Sequence, residues 1–365
     1  MTEPEAFSWR GKRVFLTGHT GFKGGWLALW LASKGAIVRG YALDPCTDPN
    51  LFTAARIGSV IEDIRGDIRN PAALDPALRD FAPEVVFHMA AQPLVLYSYE
   101  DPIGTYETNV IGTARVLDAI RRTHSVRAVV SVTTDKCYEN IEDPHRAYKE
   151  TDPLGGYDPY SSSKACAEIV SAAYRQSYFP VSKLAEHKCA VATARAGNVI
   201  GGGDWSIDRL IPDLIRGFVA GEPVRIRRPR STRPWQHVLE PLHGYILLAE
   251  RLLTHDPRYA TAFNFGPGED DAQPVAWIVE RMTKFWGDNA SWVLDPDPGV
   301  HEAGYLKLDA SRAHVELGWQ PRLNLETALE WLVAWYKAEK NGEDMHEFTL
   351  AQISAYESLV YPKLS

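Results

Sequence analysis

Cysteine is scarce in this 365-residue chain, and so are long apolar runs and blocks of like charge. The four cysteines, Cys46, Cys137, Cys166 and Cys189, show no close pair spacing. That argues against a disulfide framework and against a metal site, and it fits a reducing compartment. No apolar stretch is long enough to span a bilayer, so no membrane partner is expected. The opening MTEPEAFSWRGKR is acidic and lacks an apolar core segment, so it does not read as a signal peptide. Net charge is −8 and no basic run exceeds a few residues, which argues against nucleic-acid binding. The expectation is a cytoplasmic globular protein of one large or two modest domains. The 11 tryptophans and 16 tyrosines serve mostly core and interface, with some free to stack on a base or a sugar.

What is present is alternation. RVFLTG (13–18) reads as a strand, followed by a glycine turn and a helix from about Lys23 to Ser33. Further strands read at 36–43, 60–67, 85–91, 128–134 and 190–199. Helices read over about 103–122 and from Tyr160 to Tyr174. Strands alternating with helices predict an α/β fold with a doubly wound parallel sheet, the Rossmann arrangement. After residue 200 the pattern changes. GGGDW breaks the chain, RIRRPRSTRPW is basic and proline-punctuated, a helix reads near 240–253, and AFNFG (262–266) is a short strand. The last hundred residues are mostly helical and aromatic. We expect a cofactor-binding domain over 1–195 with a return segment near 236–262. A smaller, mostly helical substrate domain is expected over 196–235 and 263–350, and a C-terminal tail over 351–365.

The first strand runs into Thr17-Gly18-His19-Thr20-Gly21-Phe22-Lys23-Gly24. Glycines at 18, 21 and 24 suit a tight turn, a pyrophosphate against bare backbone, and close packing of helix on strand. The helix start offers free N–H groups to the phosphates. A plain glycine turn is the competing explanation, but the strand-turn-helix context is the one a dinucleotide site requires. Asp44, past the second strand, is placed to accept ribose hydroxyls, or is a turn residue. No Arg or Lys lies between Gly40 and Ala55 to hold a 2′-phosphate, which favours NAD over NADP. Asp67, after the third strand, is placed to bond the adenine amino group, or is a helix N-cap.

Two further motifs carry chemistry. YDPYSSSK places Tyr160 and Lys164 four apart, on one helix face. An ammonium beside a phenol favours phenolate, a base for a hydroxyl proton. SVTTDKCY ends a strand in Thr134-Asp135-Lys136. Alone, that reads as a polar turn.

With these segments in view, the chain resembles the extended short-chain dehydrogenase/reductase superfamily, in its nucleotide-sugar branch. The resemblance covers nearly the whole chain. It includes 17–24, FHMAAQ (87–92), Asn109, Thr134, Tyr160 with Lys164, RAGNVIG (195–201) and RPWQHV (233–238). It implies that Ala90, Ala91, Gln92 and Asn109 join Gly18, Thr20, Gly21, Phe22, Lys23 and Gly24 in cofactor binding. Asn198 and Arg233 match positions that contact the substrate pyrophosphate, for which the Arg fork suits. Arg209, Asn264 and Tyr305 are weaker substrate-side candidates. His88 flanks the cofactor or is a satisfied core histidine. Dehydratases that act on dTDP-glucose or GDP-mannose carry a glutamate after the threonine-aspartate. Here Lys136 stands instead, and the triplet resembles the CDP-glucose 4,6-dehydratase branch.

That resemblance implies a lyase with no net redox change, on a path to deoxysugars of cell-surface polysaccharides such as O-antigen. Oxidation at carbon 4 of the hexose acidifies the proton on carbon 5. A base removes it while an acid protonates the leaving hydroxyl on carbon 6, and hydride returns to carbon 6. Tyr160, tuned by Lys164, takes the carbon 4 hydroxyl proton, and Thr134 bonds the same oxygen. Asp135 and Lys136 are acid and base, in that order or the reverse. Against this stands the ordinary ion pair that adjacent Asp and Lys form. An epimerase would need the tyrosine and lysine but not Asp135-Lys136. A catalytically silent NAD-binding regulatory protein is the alternative of another class. The family's habit implies a homodimer or homotetramer, paired through helices near 103–122 and 160–177.

Overall fold

The structure is a computed structural model and describes residues 7–268, 271–287, 290–296 and 304–361. Seven parallel strands form its central sheet: β1 Arg13–Thr17, β2 Ile37–Ala42, β3 Glu62–Arg65, β4 Val85–His88, β5 Ala128–Val132, β6 Ala190–Ala196 and β11 Ala262–Phe265. Their order is β11-β6-β5-β4-β1-β2-β3. The inner strands are buried along their length, β4 and β5 at every residue. That explains their continuous apolar sequence, since helices cover both faces of a parallel sheet. Strand order reverses between β1 and β4, where such sheets open a ligand crevice at their carboxyl ends. Register aligns Thr17 with His88, His88 with Ser131, and Ser131 with Thr193. A polar row therefore crosses the strand ends below that crevice.

AFNFG is not part of a separate substrate domain. It is the seventh sheet strand, parallel to β6, and all four residues of β11 are buried. Helix Leu239–Leu253 leads into it and packs on β5 and β6, so β6, helix and β11 form one crossover unit. Three small pairs make the cap over the crevice. β7 Val199–Ile200 pairs with β10 Gln236–His237, β8 Val224–Ile226 with β13 Trp292–Leu294, and β9 Thr232–Pro234 with β12 Ala272–Pro274.

Helix α1, Phe22–Ser33, is apolar on nearly all sides, and Gly24 to Leu31 are buried. Such a helix needs cover on every face. The sheet covers one side and helix Met345–Val360 the other, where Glu357 accepts from Trp30 Nε1 at 2.8 Å and Lys34 Nζ at 2.6 Å. The expected tail from 351 is therefore part of a packed helix, with Ile353 and Tyr356 buried; residues 362–365 lie outside the described ones. One apolar core runs from β1 and α1 through helix Leu239–Leu253 to helix Leu325–Lys340. The two expected domains share it.

Two helices depart from the expected pattern. Pro71–Phe81 is helical although it holds Pro71 and Pro76. Pro71 sits in the first turn, where a missing N–H costs nothing. Leu74, Leu78 and Phe81 point to the core. The expected helix over 103–122 is segmented into Pro102–Tyr106, a π-helical stretch Glu107–Gly112, and Thr113–Arg121. Such widened turns re-aim side chains, and this one holds the buried Asn109.

Candidate active site

A cavity of about 710 Å³ lies over the strand ends, between the sheet and the cap. The glycine turn forms its floor. Gly18 has φ +82°, and a Cβ there would lie 2.7 Å from Ala90 N. A Cβ on Gly24 would lie 2.1 Å from Gly18 O. Both glycines are thus required for the turn to close under α1. At Gly21 the nearest atom to such a Cβ is Gly18 O at 3.5 Å, so bare backbone faces open space. Gly21 is also the N-cap of α1 and offers no side chain to its free N–H groups. A cradle of bare amides at a helix start fits a dinucleotide pyrophosphate.

Gly18, Thr20, Gly21, Phe22, Lys23, Gly24, Asp44, Asp67, Ala90 and Ala91 all line the cavity. Asp44 is largely exposed at the end of β2, as a ribose acceptor must be. Asp67 is not a helix N-cap, because Asn70 takes that position. Its carboxylate is held by Arg69 at 2.7 Å and kept below its ordinary range by that bond. Gln92 and Asn109 lie behind the wall rather than in it. Asn109 Oδ1 accepts from Gln92 N at 2.9 Å, and its Nδ2 donates to Ser163 Oγ at 2.9 Å. They brace the Ala90–Ala91 loop against helix Pro159–Ser177.

His88 belongs to the same brace. Thr113 donates its hydroxyl proton to Asn109 O at 2.7 Å, so it accepts from His88 Nε2 at 3.0 Å. Nδ1 then accepts from Thr17 Oγ1 at 2.8 Å. Thr17 Oγ1 in turn accepts from Ala90 N at 3.1 Å. Burial, with the Lys164 charge, pushes His88 down to about 3. It is a neutral, satisfied core histidine.

The absence of a basic residue between Gly40 and Ala55 does not leave this edge without one. Arg65, on β3, donates to Leu43 O at 3.2 Å and lies 3.4 Å from Asp44 Oδ1. A window along β2 alone misses it, because sheet pairing sets β3 beside β2. Its guanidinium is already bonded to Asp63 at 2.9 Å and stacked on Phe52.

The strand-edge triplet lies on the opposite wall. Residues 135–137 form one 3₁₀ turn, capped by Thr134, whose Oγ1 accepts from Lys136 N at 3.4 Å. Thr134 and Lys136 line the cavity. Asp135 is fully buried beneath them. Its Oδ1 accepts from Thr134 Oγ1 at 2.9 Å, and its Oδ2 has no partner among the described residues. Lys136 Nζ lies 4.0 Å from Oδ1. Tyr160 and Lys164 face the same cavity from helix Pro159–Ser177, which is capped by Asp158. Burial pushes the Tyr160 phenol up to about 12, opposed by the Thr134 hydroxyl and Arg209. Burial pushes the Lys164 ammonium down to about 8, and it donates to Val132 O at 3.1 Å. The expected tuning of the phenol by Lys164 is thus not the leading effect in this form.

On the substrate side Asn198, Arg209 and Arg233 line the cavity. Asn198 Oδ1 is buried and has no partner among the described residues. Arg209 is held by Asp204 at 2.9 Å, and Arg233 donates to Thr232 O and Gly304 O, both at 3.0 Å. Asn264 and Tyr305 do not line the cavity. The Asn264 side chain is consumed by Tyr138, Tyr148 and Asp309. Tyr305 is 39% exposed. One residue reads differently from its motif. Lys23 sits in the glycine turn, yet its amine reaches Tyr245 on helix Leu239–Leu253 at 3.0 Å. Burial, reinforced by Lys164 and Arg209, brings it down to about 7. Only the fold could reveal that reach.

Comparison with known proteins follows the same geometry. The CDP-glucose 4,6-dehydratase of Salmonella typhimurium is 53% identical over 350 residues, 96% of this chain and 97% of that one. A dTDP-glucose 4,6-dehydratase of Xanthomonas campestris is 28% identical, covering 88% of this chain and 92% of its own. Among solved structures, the UDP-glucose 4-epimerase of Thermotoga maritima superposes with a TM-score of 0.77 at 20% identity, over 90% of this chain and 99% of that one. The Streptomyces venezuelae dTDP-glucose 4,6-dehydratase with NAD and TYD bound gives 0.76 at 23%, over 91% and 99%. These two establish the fold, shared by epimerases and dehydratases alike. A family model described as GDP-mannose 4,6 dehydratase matches residues 15–331, and the chain belongs to that family.

Proposed function

We propose that this chain removes water from CDP-D-glucose to give CDP-4-dehydro-6-deoxy-D-glucose. The observation that carries the reading is its 53% identity, over nearly both full lengths, to a CDP-glucose 4,6-dehydratase. The convergence of Thr134, Lys136, Tyr160 and Lys164 on one cavity supports it. NAD is the cofactor that fits. Gly18, Gly21 and Gly24 with the α1 start would hold its pyrophosphate, Asp44 a ribose, and the Ala90–Ala91 loop its inner half. When bound, it would supply the hydride chemistry at carbons 4 and 6.

The chain's own groups move the protons. Tyr160 accepts the proton of the carbon 4 hydroxyl, and the Thr134 hydroxyl orients that oxygen. Lys136 opens to the cavity, takes the proton from carbon 5, and gives a proton back to carbon 5 as hydride adds at carbon 6. Asp135 supplies the proton that leaves with the carbon 6 hydroxyl. Its unpartnered Oδ2 is 3.0 Å from where a Gly197 Cβ would sit, and Gly197 lines the cavity. Gly197 brings bare backbone to that oxygen, with Pro234 Cγ 2.8 Å from the same Cβ position. Asn198 and Arg233 bind the diphosphate, and Arg209 lies near Tyr160.

We infer further that the enzyme is cytoplasmic and pairs with a second copy of itself, as a dimer or tetramer. Ile103, Ile111 and Ile169 lie on the two long helical segments and are 67%, 50% and 56% exposed. Light scattering of Ile111→Glu and Ile169→Glu tests this, and wild-type protein that runs as a monomer would refute it. The activity is tested by incubating the enzyme with CDP-, UDP-, dTDP- and GDP-glucose and NAD, then adding alkali. A 4-keto chromophore should form with CDP-glucose. Formation only with another nucleotide would reassign the substrate. An unchanged sugar with inverted carbon 4 would make the chain an epimerase.

A further inference from the structure

Glu168 is a buried carboxylate beside the reacting groups, and the reaction above does not use it. It stands one turn beyond Lys164, which stands one turn beyond Tyr160, on helix Pro159–Ser177. The three therefore share a face. Its two oxygens reach toward both ends of the turn that carries Thr134, Asp135 and Lys136. Oε1 accepts from the Thr133 hydroxyl, just before the triplet. Oε2 accepts from Thr193 Oγ1 at 2.7 Å and Arg195 Nη2 at 2.8 Å. Arg195 Nη1 then donates at 2.7 Å to the hydroxyl of Tyr138, two residues past the triplet. The guanidinium also lies 5.0 Å from the centre of that ring. One buried ion pair grips the triplet at both ends. Such a pair is a poor source of stability compared with apolar packing, so its use at this place has another reason.

Resting on the dehydratase reading, the geometry points to Glu168 as a positioning residue: with Arg195 it fixes the Thr134–Lys136 turn, and it sets a carboxylate one turn from Lys164 on the face that carries Tyr160. The electrostatics agree. Burial lowers Lys164, and Glu168 heads the groups that oppose this, followed by Cys137. Burial raises the Glu168 carboxyl, but Arg195, Thr133 and Thr193 hold it below its ordinary range. The other titratable groups nearby are Lys23 on α1, neutral His88 on β4, Asp135 and Cys137 in the turn, Tyr160 and Arg175 on the same helix, and Arg195 on β6. Without Glu168, Lys164 faces the Lys23 amine with no opposing carboxylate on its own helix.

The test is the pH profile of the oxidation step, followed as reduced-cofactor absorbance in a single turnover with CDP-glucose. Wild type, Glu168→Gln and Glu168→Asp are compared. In Glu168→Gln the basic limb should move down by about one pH unit, giving about a fivefold loss near pH 8 that grows toward about tenfold at higher pH and recovers at lower pH. Glu168→Asp keeps the charge, so it should lose rate but keep the limb. A Glu168→Gln limb that coincides with wild type overturns the charge role. Thr133→Val, which keeps the carboxylate and cuts one tether, covers a Glu168→Gln that does not fold. Its turnover should fall about tenfold with the limb unmoved, and full turnover overturns the positioning role. Titration of the Lys164 ammonium by NMR needs no substrate. If wild type ignores CDP-glucose, the dehydratase reading fails, while a Lys164 titration unmoved by Glu168→Gln sinks this inference on its own.

Discussion

Lys136→Met should cut the reaction between its two halves. The perturbation is small for the fold. Lys136 Nζ is 4.0 Å from Asp135 Oδ1, and a third of the side chain is accessible. The amine makes no hydrogen bond to the buried Asp135, at 4.0 Å, and Met preserves the apolar stem. For the chemistry the change is large. A positioned base supplies roughly 10²–10⁴-fold, which is about 3–5 kcal/mol of barrier at about 1.36 kcal/mol per decade. Oxidation at carbon 4 should survive, because Tyr160, Lys164 and Thr134 are untouched. The assay mixes enzyme, NAD and CDP-glucose in deuterated water and follows reduced-cofactor absorbance and product deuterium together. Wild type should show no lasting absorbance and one deuterium at carbon 5. The variant should accumulate and hold the reduced cofactor, with no exchange at carbon 5. Normal product with normal deuterium uptake would remove Lys136 from the role of base. The triplet would then be a polar turn beside a site built from other residues.

Four other perturbations probe separate parts of the molecule. Tyr160→Phe should lose roughly 10²–10⁴-fold in turnover and show no reduced cofactor; near wild-type rates would exclude the phenol. Gly24→Ala pushes a methyl to within 2.1 Å of Gly18 O, so calorimetry should find NAD affinity weakened on the order of tenfold or more, and an unchanged affinity would contradict the cradle. Asp44→Ala removes the carboxylate and leaves the Arg65 guanidinium, 3.4 Å from it at present, so the ratio of NADP to NAD affinity should rise; a fixed ratio would show that Asp44 does not select the cofactor. Glu240 is raised by burial to about 7, above its unfolded value, so its share of stability is full at low pH and is lost as pH rises through about 7. Glu240→Gln should therefore gain stability over wild type above that pH, by as much as about 3 kcal/mol, and parallel melting curves at all pH values would refute the assignment.

The cofactor half of the site was legible because its signals are local. Gly18, Gly21 and Gly24 lie within one turn, and Tyr160 and Lys164 within one helix, so spacing alone sets their geometry. The substrate half depends on long-range folding. Asn264 has the composition of a ligand-binding residue, but β11 pairs with β6 and turns its amide into the core. Arg65 lies outside the window that follows β2, and only sheet pairing brings it to Asp44. Gln92 and Asn109 sit in the expected segments yet serve the wall from behind, because a π-helical stretch turns Asn109 inward. Helix Pro71–Phe81 hid behind Pro71, which its first turn tolerates, and Pro76, which lies inside it. Long-range packing crosses the expected domain boundary as well: the apolar faces of the last helices are completed by the sheet and α1.

The objection to Asp135 and Lys136 as an acid–base pair was their adjacency. Neighbours of opposite charge ordinarily neutralise each other in solvent. The 3₁₀ turn answers it by sending the two side chains to different surroundings. Asp135 drops beneath the turn, fully buried. One oxygen is bonded to Thr134, and the other is unpartnered behind Gly197. Lys136 points into the cavity, and 4.0 Å separates its amine from the nearer oxygen, which is beyond hydrogen-bond reach. On the proposed mechanism, two groups one residue apart would serve the substrate from different depths. An elimination across two neighbouring carbons needs one group for each, and a turn anchored before and after the triplet keeps them apart while the substrate passes through oxidation, elimination and hydride return.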